Sequence, residues 1–474
     1  MTDESATNGP LQNLNRVPLL QSMTGRRSRR VARGTSIDAG ELSHVSHNAP
    51  LPLTELEEAI LIVATGITGV VAHDGPLESR DHGAELGTPF LNVIARSAPS
   101  PDNSQPTHFV MINDDGIWLL KRPPRAEVAQ MLAGLPPRFG EWSERDWIAA
   151  AAAVRHRLRS GRLEMPREFP YYVGWNKQMS NVPGTTIFLP LVDTTRMMIN
   201  GILNLLAEPD GQRPLFVDDW RGFEPKNAAD WAGWVASETH LIKHIPYQPI
   251  GGVHRARDGF VNPKIPMPVG FVRTFLSDHE SFYLTHNLML VSEAMGLGSW
   301  IHACAPSPYL LGGDSRTKGL GLRMEKPHVS KLKWPPLPST QPNPVGIDGL
   351  FETLSPPYVS SMDEAVDRVL DLKYGEAGAY ADPAVFGHAY REREAAAWYL
   401  RHGHRYTQTA IDYAKEICNY IWDTYGRFPA HVDAVYQPGT WLQVAHLELE
   451  YYEKYFEPSN YTAQSAHARV WGHG

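Results

Sequence analysis

Five residues near the start of the chain, Arg26-Arg27-Ser28-Arg29-Arg30, are dense in groups that seek phosphate. Guanidinium forks match phosphate oxygens two at a time, and a serine hydroxyl adds a neutral donor. Taken alone, the run reads equally well as a solvated charge cluster or a targeting signal. Further on, Asn103-Ser104-Gln105-Pro106 places two carboxamides and a hydroxyl in one short stretch. A carboxamide donates and accepts at once, which suits the edge of a heterocyclic ring.

The elements around these residues can be read from spacing. Pro99 and Pro101 stiffen the approach to Asn103, and Asp and Asn tolerate tight loop geometry. Phe109 to Ile112 has the length and content of a buried strand. Upstream, Thr54-x-x-Glu57 is a capping box, with Leu56, Ile60, Val63 and Ile67 striping one face of a helix over 53–67. Ser143-x-x-Asp146 opens a second helix, and Thr185–Val192 reads as a strand. Ser277-x-x-Glu280 predicts the start of a helix striped by Leu284, Leu288, Val291 and Met295, which Gly296 and Gly298 then stop. Ser361-x-x-Glu364, Asp382-Pro383 and the apolar stripe from Ala410 to Tyr425 make the last part of the chain mostly helical.

Three of these pieces, in this order, resemble a known family. Arg26-x-Ser28-x-Arg30, then Pro99-Ser100-Pro101-Asp102-Asn103-Ser104-Gln105-Pro106, then the apolar run from Asn287 ending in Gly296-Leu297-Gly298, are similar to the FMN-dependent nitroreductase-like superfamily. The resemblance covers about residues 20–115 and 265–335. It implies that Arg26, Arg27, Ser28 and Arg30 hold the FMN phosphate, and that Asn103, with Ser104 and Gln105, touches the isoalloxazine. By the same implication, the strand after Gly298, at Ile301 and His302, offers backbone N–H groups to the flavin. Lys331 and Lys333 match a basic pair that reaches the phosphate. The family fold is α+β in three layers (α/β/α), a mixed central sheet flanked by helices, and its members are usually homodimers with FMN at the subunit interface. The implied activity is ping-pong reduction of a nitroaromatic, quinone or similar small molecule by NADH or NADPH. Dehydrogenases and dehalogenases on dedicated substrates belong to the same superfamily, and a flavin-binding protein without turnover is the other alternative. No residue stands out as a general acid.

On this basis residues 1–22 are expected to be a flexible or draped tail and 23–340 the FMN-binding domain. Within the latter, 114–265 is an enlarged insertion, and 341–474 follows as a mostly helical extension. Charged residues at 20% and hydrophobic residues at 42% are globular values. Gly and Pro make up 78 of 474 residues, which points to many loops. A net charge of −8 argues against nucleic acid or anionic membrane as partner. Two cysteines build no disulfide framework, and no run approaches the ~20 apolar residues of a membrane span, so a cytoplasmic protein is expected. His431-x-Asp433 and His446-x-Glu448 pair imidazole with carboxylate, but packing explains them, and no metal is expected.

Overall fold

The computed structural model describes residues 9–66, 70–71, 91–172, 174, 176–220, 228–239, 248–251, 253–312, 316–329, 342–381, 391–394, 397, 405–430 and 438–472. At its centre, strands β1 (Thr107–Ile112), β2 (Gly116–Leu120), β3 (Arg155–Ser160), β4 (Thr186–Val192), β5 (Gly298–Pro306) and β6 (Pro438–Ala445) form one sheet. Their order is β5-β6-β4-β1-β2-β3, with every neighbouring pair antiparallel. Parallel pairing occurs outside that ladder, where Ser28 bridges Ser299 at its edge and Pro214–Asp218 pairs with Asn262–Pro268 in a separate three-stranded sheet. Helices α1 (Leu19–Gly25), α2 (Glu55–Ala64), α3 (Glu144–Ala152), α4 (Thr194–Leu206), α5 (Val269–Met295), α6 (Met362–Tyr374), α7 (Gln408–Tyr425) and α8 (Thr462–Trp471) pack around it. The class is α+β, as expected.

Period-two alternation sorts β1 between two cores. Phe109 and Met111 face a layer of helices, meeting Leu56 and Ile60 of α2 and Leu284 and Leu288 of α5. Val110 and Ile112 face the other side, which Leu163 and Tyr171 from irregular segments, Leu310 from a short helix and Phe351 from a short strand cover. A third core joins α4, α6 and α7 through Met198, Ile202, Val366, Val369, Tyr413 and Ile417. Each large aliphatic side chain buried this way is worth about 1.5–3 kcal/mol against exposure.

The caps at Thr54, Ser143 and Ser361 lie where the sequence places them, and Gly296 ends α5 in the left-handed region at φ 84°. Ser277-x-x-Glu280, however, is no helix start. The helix begins at Val269, and Glu280 is a buried mid-helix carboxylate held by Arg96 and Ser100. A cap pattern specifies only two residues, and a tertiary ion pair satisfies the same glutamate. The expected N-terminal tail is also ordered from residue 9. Pro10–Leu14 is helical, and Leu11 and Leu14 pack beside Trp471 of α8.

The expected division into insertion and extension is not how the sheet is built. Strands β2, β3 and β4 come from 114–265, and β6, from the last part of the chain, sits between β5 and β4. A strand in the interior of a sheet is part of the fold's core, because its backbone groups are satisfied on both sides. The proposed helix after Asp382-Pro383 lies outside the described residues.

Candidate functional site

Leaving α1, the chain turns extended at Arg26, and its side chains alternate. Ser28 and Arg30 point outward and are exposed, whereas Arg29 and Val31 are buried. Arg29 is spent on structure: Nη1 donates to Glu293 Oε2 at 2.6 Å, and Nε donates to the carbonyl of Asn460 at 2.6 Å. Burial works against both charges, lowering Arg29 and raising Glu293, and their mutual attraction opposes it only in part. Arg27 is exposed and donates only to local carbonyls of Thr24 and Arg26. Arg26 is half-buried, and its Nη1 has no hydrogen-bond partner among the described residues. The guanidinium of Arg30 lies over the indole of Trp300, 5.4 Å from its centroid.

That contact brings the arginine segment to β5. Ser28 pairs with Ser299, and the Arg29 N–H donates to the Ser299 carbonyl at 3.2 Å. Backbone groups alternate sides along a strand, so the amide of Ile301 faces the same outer edge, where β5 is the last strand of the sheet. The Ile301 side chain packs in the helix-side core. His302 and Trp300 occupy the opposite face, their rings stacked at 4.4 Å, with Trp441 edge-on to His302 at 5.0 Å. Ser180 Oγ lies 3.0 Å from His302 Nε2. Trp300 Nε1, Trp441 Nε1 and His302 Nδ1 are buried with no hydrogen-bond partner among the described residues.

Burial, and then the charge of Arg30, push the His302 imidazole down to about 4. Its folded pKa lies below the unfolded value of about 6.5, so the unfolded chain binds the extra proton between those limits. Stability contributed by the neutral ring is present above about pH 6.5 and is lost as pH falls toward 4. Urea unfolding of His302→Phe is expected to lose about 2 kcal/mol less than the parent between pH 7 and 4.5. Equal losses would mean that the ring titrates normally in the fold.

The Asn103 loop is built differently. Asp102, Asn103 and Gln105 have φ of 51°, 47° and 48°, left-handed values unusual for residues with a Cβ. Side-chain bonds hold that backbone. Asn103 Nδ2 donates to the Asn92 carbonyl, and its Oδ1 accepts from Gln105 Nε2 at 2.6 Å. Gln105 Oε1 accepts from Arg122 Nη1 at 2.9 Å, and Ser104 Oγ donates to the Pro101 carbonyl at 2.7 Å. The Asn103 carboxamide is thereby committed within the loop, with one N–H and one lone pair left. Gln105 borders a cavity of about 570 Å³, where Arg96, Lys121, Arg122 and Arg196 face Asp193 and Glu352. With Glu280 counted as the partner of Arg96, four cationic side chains meet three anionic ones, which leaves an excess of one positive charge. Burial, and then Arg122 and Arg196, hold Arg96 down to about 9.

The two motif segments are not brought together. Arg29 is anchored at Glu293 and Ser100 at Glu280, two levels of the same helix α5. At about 1.5 Å per residue, that stretch rises roughly 20 Å. The structure instead groups Arg26, Ser28 and Arg30 with Ile301 and His302, and groups Gln105 with Arg96, Arg122 and Arg196. No sequence signal marks that second set, because the arginines are single residues scattered over three segments. Lys331 and Lys333, and likewise His431 and Asp433, lie outside the described residues. His446 and Glu448 diverge: Glu448 takes Asn48 at 2.6 Å and the Gly34 N–H at 2.8 Å, while His446 turns to Glu57. Among the described residues no helix is long and apolar enough to cross a membrane. Neither a protein-family model nor a curated protein matches the chain.

Proposed function

We propose that the chain is a cytoplasmic FMN-dependent oxidoreductase of nitroreductase-like type, reducing an electron-poor small molecule with NADH or NADPH. The surface where Arg26, Arg27, Ser28 and Arg30 border the outer edge of β5 carries this reading. A phosphate monoester needs charge-assisted donors. Arg26 has a buried guanidinium nitrogen without an acceptor among the described residues, and Arg27 and Arg30 present theirs at the surface. The outward amide of Ile301 adds a donor for the polar edge of a ring. Bound FMN supplies hydride transfer, while the residues around it supply position and electrostatics.

The electropositive cavity beside Gln105 favours an anionic or acceptor-rich small molecule as the other ligand. Leu19, Leu20 and Met23 of α1 and Phe282 of α5 stay exposed. Exposed apolar side chains on α1 favour a second copy of the chain as their cover, in keeping with a homodimer.

The test is the absorption spectrum and the mass of whatever cofactor accompanies the purified protein. A yellow preparation that releases FMN is expected. A preparation that stays colourless after incubation with FMN rejects the assignment. Flavin that neither NADH nor NADPH reduces in stopped flow removes the reductase reading and favours a dedicated dehydrogenase or dehalogenase.

A further inference from the structure

Glu57 is read from the sequence as a helix cap, and it is one. Its Oε2 accepts from the Thr54 N–H at 2.6 Å and from the Thr54 hydroxyl at 2.9 Å. Its other oxygen, Oε1, faces inward and meets two imidazoles. His446 Nε2, just past β6, is 3.2 Å away, and His467 Nε2, on α8, is 2.8 Å away. All three side chains are buried.

The far side of each ring fixes its chemistry. His446 Nδ1 lies 3.0 Å from the Leu51 carbonyl, and His467 Nδ1 lies 2.7 Å from the Met295 carbonyl. A carbonyl oxygen only accepts, so each Nδ1 carries the hydrogen. In the neutral rings, Nε2 then presents a lone pair. Two nitrogen lone pairs and a carboxylate oxygen turned toward one another repel unless a cation lies among them. Protonating both rings would supply one, but it buries two adjacent imidazoliums on a single carboxylate, each with its own desolvation cost.

We propose that Glu57, His446 and His467 form a binding site for one first-row divalent metal ion of the zinc class, which clamps the C-terminal helix to the sheet domain. The donor set is the His₂Glu combination that zinc accepts, with remaining positions taken by water or another ligand. At metal–ligand distances of about 2.0–2.2 Å, tetrahedral geometry separates neighbouring donors by roughly 3.3 Å. The observed 3.2 Å matches that, the 2.8 Å separation is about half an ångström shorter and would have to open on binding, and the three donor atoms all fall within 4.8 Å of one another. Each ligand has the outer partner that metal sites use to fix ring and carboxylate orientation: two backbone carbonyls and the Thr54 cap. Access exists as well, since His467 lines a cavity of about 420 Å³ between α1 and α8. The second acidic and imidazole cluster, His44 with Glu448 and Glu450, is different, because Glu448 already accepts from Ser46, Asn48 and Gly34.

The experiment uses the full-length protein stripped with a chelator and titrated with Co²⁺. About one ion per chain is expected, with the visible absorption of cobalt in a nitrogen and oxygen site, and zinc should displace it. His446→Asn and His467→Asn are each expected to lower occupancy at least about tenfold. Glu57→Gln keeps the helix cap, which glutamine also makes, and should lower it similarly. Thermal unfolding of the parent should fall on chelation and recover with zinc. Failure of the parent to bind stoichiometric cobalt overturns the proposal, as does unchanged occupancy in folded His446→Asn or His467→Asn. Both readouts stand apart from flavin content, so loss of the metal site and loss of the FMN reading are distinguishable.

Discussion

Arg29→Ala is expected to destabilise the protein by about 3–5 kcal/mol, while Arg30→Ala, one residue on, changes stability by about 1 kcal/mol or less. The contrast follows from the alternation of an extended chain. Arg29 and Glu293 are an ion pair at 2.6 Å with side-chain exposures of 4% and 9%. Removing the guanidinium leaves a carboxylate buried beside Gln464 with its main counter-charge gone, and also frees the Asn460 carbonyl. Arg30 stacks on Trp300 from the solvent side, a contact of the weak, exposed kind. Urea unfolding of the two variants measures the difference. Replacing both partners of the pair, Arg29→Met with Glu293→Leu, should recover most of the loss, because no buried charge is then left alone. A cost under about 1 kcal/mol for Arg29→Ala would show that water reaches Glu293 and that the pair is not the anchor of the N-terminal segment.

The second large effect is on ligand binding. Arg26→Ala combined with Arg30→Ala is expected to weaken FMN binding by roughly 10²–10⁴-fold with the fold intact. Each charge-assisted hydrogen bond to phosphate contributes about 1.5–3 kcal/mol, and 1.4 kcal/mol is a tenfold change in Kd. Binding of riboflavin, which lacks the phosphate, should change far less, and that comparison separates a phosphate contact from general damage to the site. Equal losses for FMN and riboflavin, or unchanged FMN affinity, would remove these arginines from the phosphate role. Because Arg29 faces inward, it should be left in place in this experiment.

Local rules decided much of this molecule. The caps at Thr54, Ser143 and Ser361, the left-handed stop at Gly296, the strand at Phe109–Ile112 and the stripe on α7 all follow from spacings of two, three or four residues, and the fold realises each. The density of arginine at 26–30 was equally plain, but not which arginine points in. That depends on the phase of an extended segment, and the phase is set by the pairing of Ser28 with Ser299.

What only the tertiary structure decided involves residues far apart in the chain. Strand β6 reads as part of a helical tail, yet it lies inside the sheet, because strand order is a matter of pairing partners and not of local composition. Glu280 mimics a cap and turns out to be half of an ion pair, and Glu57 is a cap whose second oxygen meets two histidines from the other end of the chain. Likewise Arg96, Arg122 and Arg196 become one electropositive wall only where β1, β2 and α4 converge. Sequence spacing reports what a side chain does within its own turn or strand. The job of its remaining polar atoms is assigned by whatever the fold packs against them.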